Sequence, residues 1–339
     1  MKHKAKKITM AELASLADVD ISTVSRALND SPLVKAHTKK KVLEIAERIG
    51  YAINASARNL RRQSSGAIGI VIPLNPESGQ TISDPFFLEM VGAVSHALSR
   101  RNYDLILSVP REEEQIAERR LLQSGQADGL IVIGQAGRMH RLNTLNVAKG
   151  RIVVWGGRLD DLDYPVVGSD NIEGGRLAGE HLLRGGRKRI LFLGDVELPE
   201  VALRYQGFLK AHKAAGIAND ERLIIRTNFG GEAVDAGIEY IRKQGLKFDA
   251  IFASSDVLAM SSISALRNCG LSVPRDVAIV GYDNTHIAAM ATPPITTIDQ
   301  NIMQGGELMV DLLLKEIAGE DVQSCFTETR LIVRESCGG

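Results

Sequence analysis

The sequence predicts a small all-α head followed by a larger α/β body with two doubly wound parallel sheets. Basic amphipathic segments with helical spacing fill residues 1–53, whereas apolar strands alternate with helices from Gly66 onward. This alternation restarts near residue 168, and about ten strands are too many for one comfortable open sheet. We therefore predict a helical domain over 1–53, a linker over 54–65 and a two-lobed domain over 66–339.

The composition excludes several classes of protein. Hydrophobic residues make up 44% and charged residues 24% of the chain, as in ordinary soluble proteins. No segment reaches the roughly 20 uninterrupted apolar residues of a membrane-spanning helix. The basic stretch Met1–Lys7 is not followed by the apolar core of a secretion signal. We expect a cytoplasmic protein without membrane contact, in which Cys269, Cys325 and Cys337 are reduced structural thiols. No metal and no cofactor are expected.

The zero net charge of the chain conceals a strong asymmetry. Residues 1–63 contain thirteen Lys or Arg and six Asp or Glu, a net charge of +7, so the remaining 276 residues carry −7. A basic N-terminal region on an acidic body favours a polyanionic partner for that region, in preference to a charged segment that only meets solvent.

Three short helices are predicted in the head. Thr9 and Glu12 fit a capping box at the start of the first helix, and Asp20 can cap a second helix that begins near Ile21. A third helix is expected from about residue 36 to residue 49, with Gly50 ending it. The inward-facing apolar residues at helical spacing are Leu13, Ala14, Ala17, Val24, Ala27, Leu28, Val42, Ile45, Ala46 and Ile49.

The second helix has the pattern of a DNA-reading element. Two short helices joined by a tight turn, with polar groups on the second, are typical of a helix-turn-helix that enters the major groove. Short hydroxyls and an arginine there can reach base edges. The alternative is a plain three-helix bundle whose polar face meets water, and the charge asymmetry argues against it. The residues placed on or near the outer face are Ile21, Ser22, Thr23, Ser25 and Arg26.

Three runs of residues in the head resemble the lactose-repressor (LacI/GalR) family of transcriptional regulators. They are Ile8–Ala14, Ser22–Asn29 (Ser-Thr-Val-Ser-Arg-Ala-Leu-Asn) and Thr38–Tyr51, and the resemblance extends over essentially the whole chain. It implies binding of double-stranded DNA by a homodimer at a near-palindromic operator. It also implies DNA contacts for Thr9, Asn29, Thr38 and Tyr51.

A short basic segment, Asn54–Arg62, follows the head. Alone, a helix of this length is too short to persist in water. The resemblance implies that it folds on the operator as a hinge, with Leu60 wedged between base pairs in the minor groove and Ala57 at the contact between paired hinges. Two departures from the family are Ile53, where relatives have Pro, and Lys35, where relatives have a capping Ser, a change expected to cost about 1 kcal/mol. The hinge residues expected at the DNA are Asn54, Ala57, Arg58 and Leu60.

The body is predicted from its strands, most of which are separated by helix-length segments. The predicted strands are Ala67–Ile72, Asp104–Val109, Gly129–Ile133, Ile152–Trp155, Val166–Ser169, Arg189–Leu193, Leu223–Thr227, Ala250–Ala253, Val277–Gly281 and Ile295–Ile298. Such alternation implies parallel sheets covered by helices, with ligands bound at the carboxyl ends of the strands. The resemblance implies a body shared with periplasmic sugar-binding proteins. We expect lobe one to hold about 66–167 plus part of 300–326, and lobe two about 168–298 plus the C-terminal strand.

Candidate ligand-binding side chains follow predicted strands or begin helices. Phe86 and Trp155 offer aromatic surfaces to a sugar ring, and Gln135 follows the third strand. The resemblance implies that Arg204 and Asp283 clamp the ligand, and a donating guanidinium with an accepting carboxylate suits a polyol. With Ser255, the predicted effector-binding residues are Phe86, Gln135, Trp155, Arg204, Ser255 and Asp283.

The resemblance does not fix which small molecule binds. Ser255 stands where relatives often have Asn, and Gly157 stands where many have Asp. Asp170 and Asn171, at a predicted helix start, are interpreted as capping and cleft-forming residues.

The function predicted from these features is a repressor of carbohydrate-utilisation genes whose operator affinity is controlled by a saccharide effector. A regulator that responds to a purine or another non-sugar metabolite is the alternative. A solute-binding protein would fit the body but not the head. An enzyme is not expected, because no strand is followed by Gly-x-Gly-x-x-Gly and neither a Walker loop nor a Gly-x-Ser-x-Gly elbow occurs.

Overall fold

The structure is a computed structural model that describes residues 8–28, 31–51, 64–74, 80–110, 117–135, 150–159, 162–227 and 231–338. The chain divides into two compact units, Met1–Ser65 and Gly66–Gly339. The head lies in the first unit and the body in the second, and each is described by itself.

The described part of the head contains three helices: α1 (Met10–Ala17), α2 (Ile21–Leu28) and α3 (Ala36–Arg48). The predicted capping box of α1 is confirmed. The Thr9 hydroxyl accepts a hydrogen bond from the Glu12 N–H at 3.2 Å, and Glu12 Oε2 accepts one from the Thr9 N–H at 2.8 Å. The buried core shared by the three helices consists of Leu13, Ala14, Ala17, Val24, Ala27, Val42, Ile45 and Ala46.

Helix α3 starts without a side-chain cap. Lys35 occupies its N-cap position, and the lysine side chain makes no capping hydrogen bond. At the other end, Gly50 has a φ of +65°, a left-handed conformation that favours glycine. The Tyr51 N–H then donates to the Ala46 carbonyl at 2.8 Å, which ends the helix.

The described residues of the body form two six-stranded sheets. The strands are β1 (Ala67–Val71), β2 (Asp104–Ser108), β3 (Gly129–Ile133), β4 (Ile152–Trp155), β5 (Val166–Ser169), β6 (Ile190–Leu193), β7 (Ile224–Ile225), β8 (Ala250–Ala253), β9 (Ala278–Asp283), β10 (Thr296–Asp299), β11 (Cys325–Thr327) and β12 (Arg330–Ile332). The first sheet has the order β11-β5-β4-β3-β1-β2 and is parallel throughout. The second has the order β12-β10-β9-β8-β6-β7, and only β12 runs antiparallel to its neighbour.

Helices cover both faces of each sheet. They are α4 (Pro85–Ser99), α5 (Ala117–Gln123), α6 (Asn171–Arg184), α7 (Pro199–Ala214), α8 (Gly231–Lys243), α9 (Asp256–Asn268), α10 (His286–Met290) and α11 (Ile302–Ile317), with a 3₁₀ turn at Glu335–Cys337. Helices α4 and α11 share a core with the first sheet, and α5 packs on its other face. Helices α8 and α9 cover one face of the second sheet, and α6 and α7 cover the other. Among the described residues, no helix has the length and apolarity that crossing a membrane requires.

The predicted fold class is confirmed, with its strands near their predicted positions. The chain leaves the first sheet after β5, returns to it through α11 and β11, and ends in the second sheet with β12. Strand β7 is shorter than predicted, because only Ile224–Ile225 pair with β6. The sequence predicted no residue ranges for β11 and β12. It indicated only that part of 300–326 belongs to lobe one and that a C-terminal strand belongs to lobe two.

Candidate functional site

The outer face of α2 carries most of the predicted DNA-reading side chains. Ser22 and Arg26 are exposed, Ile21 is 52% exposed, and Thr23 is half-buried. Val24 and Ala27 on the opposite face are buried in the head core. The helix therefore presents two polar side chains and an apolar one to its surroundings, as the helical spacing predicted.

Ser25 differs from its predicted position. It is buried, with 9% of its surface exposed, and so does not lie on the open face of α2. It follows Val24 and lies one turn before Leu28, which places it at the flank of the face that packs into the core. The rotation of an eight-residue helix against two neighbours decides such a flank position, and the spacing alone does not.

The remaining predicted DNA contacts have mixed surroundings. The exposed Thr9 uses its hydroxyl in the capping box of α1. Thr38 is half-buried, with its hydroxyl 3.1 Å from His37 Nε2, and Tyr51 packs partly against the head core. The other predicted residues, Asn29, Asn54, Ala57, Arg58 and Leu60, lie outside the described residues.

In the body, the six predicted effector-binding residues line one cavity at the carboxyl ends of the strands. The cavity has a volume of about 90 Å³. Its walls come from both sheets and their helices. The described lining residues are Pro73, Gln80, Asp84, Phe86, Phe87, Ile133, Gly134, Gln135, Trp155, Leu198, Glu200, Val201, Arg204, Ser255 and Asp283.

Two aromatic rings form the apolar wall of the cavity. The Phe86 and Trp155 ring centroids are 6.4 Å apart, and Phe86 also contacts Phe87 at 5.5 Å. Asp84 caps α4 by accepting from the Phe86 N–H at 2.9 Å, which fixes the start of the helix that carries Phe86. Trp155 is held against α11, because a Cβ on Gly305 would lie 2.3 Å from its ring.

Gln135 connects the two halves of the cavity wall. Its side-chain oxygen accepts from the Gly157 N–H at 2.9 Å, and its backbone N–H donates to Glu200 at 3.2 Å. The glutamine is 1% exposed, and its Nε2 has no hydrogen-bond partner among the described residues. A Cβ on Gly157 would lie 2.6 Å from the end of the Leu203 side chain, so a larger residue there would require that side chain to move.

Arg204 is held in place by hydrogen bonds, a ring contact and an ion pair. Its Nε donates to Asn171 at 2.8 Å, and its Nη1 donates to the Ser254 carbonyl at 2.6 Å. The guanidinium lies 3.7 Å above the centre of the Tyr282 ring, and Nη1 is 3.9 Å from Asp283 Oδ1. The sequence had indicated Asn171 only as a cleft-forming residue, and the structure makes it the residue that orients the arginine.

The carboxyl of Asp283 is held by a chain of polar contacts. Asp283 ends β9 with a φ of +113°, is 6% exposed, and accepts from Gln300 Nε2 at 2.6 Å. Gln300 in turn accepts from the Ser169 hydroxyl at 2.7 Å, at the end of β5 in the other sheet. Burial raises the pKa of Asp283 well above its ordinary value, although Arg204 opposes this shift. The chain from Asp283 to Ser169 therefore joins the two sheets at the edge of the cavity.

Ser255 lies at the cavity but uses its hydroxyl to cap α9, accepting from the Leu258 N–H at 3.2 Å. The side chain of the next residue, Asp256, is fully buried. It accepts from the Thr285 N–H at 2.8 Å, from the Thr285 hydroxyl at 2.9 Å and from the Thr297 hydroxyl at 2.6 Å. Burial raises the pKa of Asp256 to about 6. Sequence reasoning did not single out Asp256, because a carboxylate after a strand is most often solvated.

Helices α6 and α7 approach closely where Arg204 and Asn171 meet. A Cβ on Gly207 would lie 1.9 Å from the Ile172 carbonyl oxygen, and a Cβ on Gly175 would lie 1.9 Å from the Arg204 carbonyl oxygen. Only glycine permits this distance between the helix backbones. Asp170 caps α6 as predicted, accepting from the Glu173 N–H at 2.9 Å.

Comparison with known proteins identifies the family. A model described as bacterial regulatory proteins, lacI family, matches residues 9–54, and one described as a periplasmic binding protein-like domain matches residues 180–337. The HTH-type transcriptional regulator CelR of Thermobifida fusca is 32% identical over 349 residues, spanning 98% of this chain and 99% of CelR. The chain belongs to the lacI family of bacterial regulatory proteins. The HTH-type transcriptional repressor PurR of Histophilus somni (strain 129Pt) is a further relative, 29% identical over 336 residues, with coverage of 97% and 98%.

Solved structures agree with this assignment to the lacI family. The structure of a CelR–cellobiose complex has a TM-score of 0.71 and 30% identity, covering 97% of this chain and 99% of the other. A lac repressor dimer bound to operator and the anti-inducer ONPF has a TM-score of 0.85, 22% identity and coverage of 98% and 99%, and it supports the fold alone. The lacI-family chain is a DNA-binding transcriptional regulator and not an enzyme, as its sequence predicted.

Proposed function

We propose that this lacI-family regulator represses carbohydrate-utilisation genes and that a saccharide bound in the body cavity controls its affinity for operator DNA. The single observation that carries the proposal is the convergence of Arg204, Asp283 and the Phe86–Trp155 pair on one cavity. The regulator acts in the cytoplasm, as a homodimer on a near-palindromic operator. Its working parts are the DNA-binding head over 1–53, the hinge over 54–65 and the effector-binding body over 66–339.

The chemistry of the cavity favours a saccharide. Sugars present hydroxyl donors to carboxylates, accept from guanidinium and amide N–H groups, and place an apolar face against aromatic rings. Asp283, Arg204 and Gln135 supply these polar partners, and Phe86 with Trp155 supplies the aromatic wall. The CelR–cellobiose complex, in a relative of 30% identity, supports a sugar over a purine.

Control of DNA affinity follows from the position of the cavity between two sheets. A ligand that contacts both sheets binds one arrangement of the lobes better than another, and it shifts their equilibrium by that difference in affinity. Arg204 on α7 and Phe86 on α4 face the cavity from opposite sheets. The lobe arrangement then sets how two heads of a dimer present their α2 helices to the operator.

The DNA-binding part of the proposal is tested with the full chain and a random pool of duplexes. Selection is expected to enrich a near-palindromic sequence, because a symmetric dimer reads two half-sites. Arg26→Ala is expected to weaken binding to that sequence by about 1–3 kcal/mol. Lys213→Ala, which removes an exposed cation at the end of α7 in the body, is the matched control and should bind as the parent does. Equal affinity of all three proteins would contradict the assignment of α2.

A further inference from the structure

We infer that the effector of this cavity carries no anionic group: the cavity accepts a neutral polyhydroxyl compound and rejects its phosphorylated and sulfated derivatives. This inference rests on the proposed function, because it concerns the same cavity. It goes further by assigning the charge of the ligand from the charges of the walls.

Carboxyl groups outnumber cations around the cavity. Asp84, Glu200 and Asp283 line it, and Arg204 is the only cation among the described lining residues. One ionised carboxylate balances the guanidinium, so each further ionised carboxylate gives the cavity net negative charge. A phosphate or sulfate entering it would meet like charge at short range in a partly desolvated site, where such repulsion is strong.

Arg204 is poorly placed to compensate an incoming anion. Two of its N–H groups are used by Asn171 and by the Ser254 carbonyl, and its face is covered by the Tyr282 ring. Asp283 already lies 3.9 Å from its Nη1. An anion at the guanidinium would therefore have to approach beside a carboxyl group that occupies the same side of the cavity.

The carboxyl groups of the cavity are themselves costly to ionise. Burial raises the pKa of Asp84, of Glu200 and of Asp283 above their ordinary values. For Asp283, the neighbouring Asp256 and Asp84 raise the pKa further, against the opposing effect of Arg204. A bound anion would raise these pKa values further, so any carboxyl group that is ionised in the empty cavity would have to take up a proton before an anion could bind without repulsion.

A polyhydroxyl compound has the complementary pattern. Its hydroxyl protons can be donated to the carboxyl groups of Asp84, Glu200 and Asp283, which line the cavity. A sulfate or phosphate oxygen only accepts, and the cavity offers it few donors. The residues that line the cavity therefore favour a free hydroxyl group over a phosphate or sulfate ester on the bound compound.

The inference is tested by matched pairs of compounds on the full chain. Glucose, ribose and cellobiose are compared with glucose 6-phosphate, ribose 5-phosphate and glucose 6-sulfate, using the fluorescence of Trp155, the single tryptophan of the chain, and the midpoint of thermal unfolding. We expect at least one neutral sugar to bind, and its charged derivative to bind at least about tenfold more weakly. A charged derivative that binds as tightly as its parent would overturn the inference while leaving the proposed saccharide effector intact. No binding by any compound would instead contradict the proposed function, and the inference with it.

A charge-removing variant tests the cause of the discrimination. Glu200→Gln retains an oxygen that can accept from the Gln135 N–H, so the local structure is preserved while one acidic group is lost. We expect the variant to reduce, several-fold, the ratio of the dissociation constant of the charged ester to that of the neutral sugar. Glu197→Gln, at an exposed carboxylate three residues earlier, is the matched control and should not change the preference. An unchanged preference in Glu200→Gln would overturn the electrostatic explanation.

Discussion

The crossing of α6 and α7 permits a sharp test of how the cavity is built. Replacing Gly207 with Ala would place the new Cβ 1.9 Å from the Ile172 carbonyl oxygen and 2.8 Å from the Arg176 N, whereas real Cβ atoms essentially never come within 3.0 Å. The two backbones would have to separate by about 1 Å. Because Arg204 is one turn before Gly207 on α7, this separation would also draw its guanidinium away from Asn171 on α6.

The magnitude follows from two opposing effects. Gly→Ala inside a helix gains about 1 kcal/mol from helix propensity, whereas overpacking a close backbone contact costs about 1–3 kcal/mol. At 1.9 Å from a backbone oxygen the cost lies at the upper end, so Gly207→Ala should lower the free energy of unfolding by about 2 kcal/mol. Gly92→Ala is the control, because Gly92 is exposed within α4 and has nothing within 4 Å of its Cβ position. It should stabilise the body by up to about 1 kcal/mol.

Denaturant unfolding of the full chain measures both variants. Trp155 is the single tryptophan and lies in the body, so its fluorescence reports on the body alone. Gly207→Ala should unfold at lower denaturant concentration than the parent and Gly92→Ala at higher concentration, with unchanged slopes. If Gly207→Ala were as stable as Gly92→Ala, the close approach of α6 and α7 and the positioning of Arg204 by it would be refuted.

Three further predictions concern buried and capping groups. Asp256→Ala should destabilise the body by about 3 kcal/mol or more, because the Thr285 N–H and two hydroxyls lose their acceptor; Trp155 fluorescence in urea measures the loss, and an unfolding midpoint equal to that of the parent would contradict it. Burial raises the pKa of Asp256 to about 6 in the folded state, so the stability contributed by the protonated carboxyl is present below about pH 4 and is lost as pH rises through about 6, by about 3 kcal/mol. Asp256→Asn, whose amide can accept from Thr285 and donate to Thr297, should lack this loss when the free energy of unfolding is measured against pH. The same pH dependence in the variant and the parent would argue against the assignment. Lys35→Ser should stabilise the head by about 1 kcal/mol by capping α3, since the lysine makes no capping hydrogen bond; far-UV circular dichroism during thermal unfolding measures it, and no change in the head transition would show that α3 needs no cap.

Periodicity predicted much of this protein because its elements obey simple geometric rules. Buried parallel strands such as β3 have near-continuous runs of apolar residues, and helices such as α4 repeat their apolar residues at helical spacing. Since parallel strands end at the same edge of a sheet, residues after separate strands were expected to meet. Gln135, Trp155 and Asp283, which are distant in sequence, indeed line one cavity.

Other parts of the site depend on how the elements pack, which one sequence does not reveal. Glu200 reaches the cavity because α7 starts beside Gln135, and Gln300 bridges Asp283 to Ser169 only because the chain returns from one sheet to the other. The burial of Ser25 likewise depends on the rotation of α2 against its neighbours. The sequence does contain one signal of the close helix packing at Arg204, because Gly207 lies three residues after it inside a helix.

The central claim is that a ligand in the body cavity controls DNA binding by the head. The most direct measurement is the affinity of the full chain for its selected duplex, with and without the sugar that changes Trp155 fluorescence, in the parent and in Asp283→Ala. The sugar should change the DNA affinity of the parent severalfold, and Asp283→Ala should bind the duplex equally well but no longer respond. An affinity that is indifferent to the sugar in the parent, or a full response in Asp283→Ala, would contradict the account.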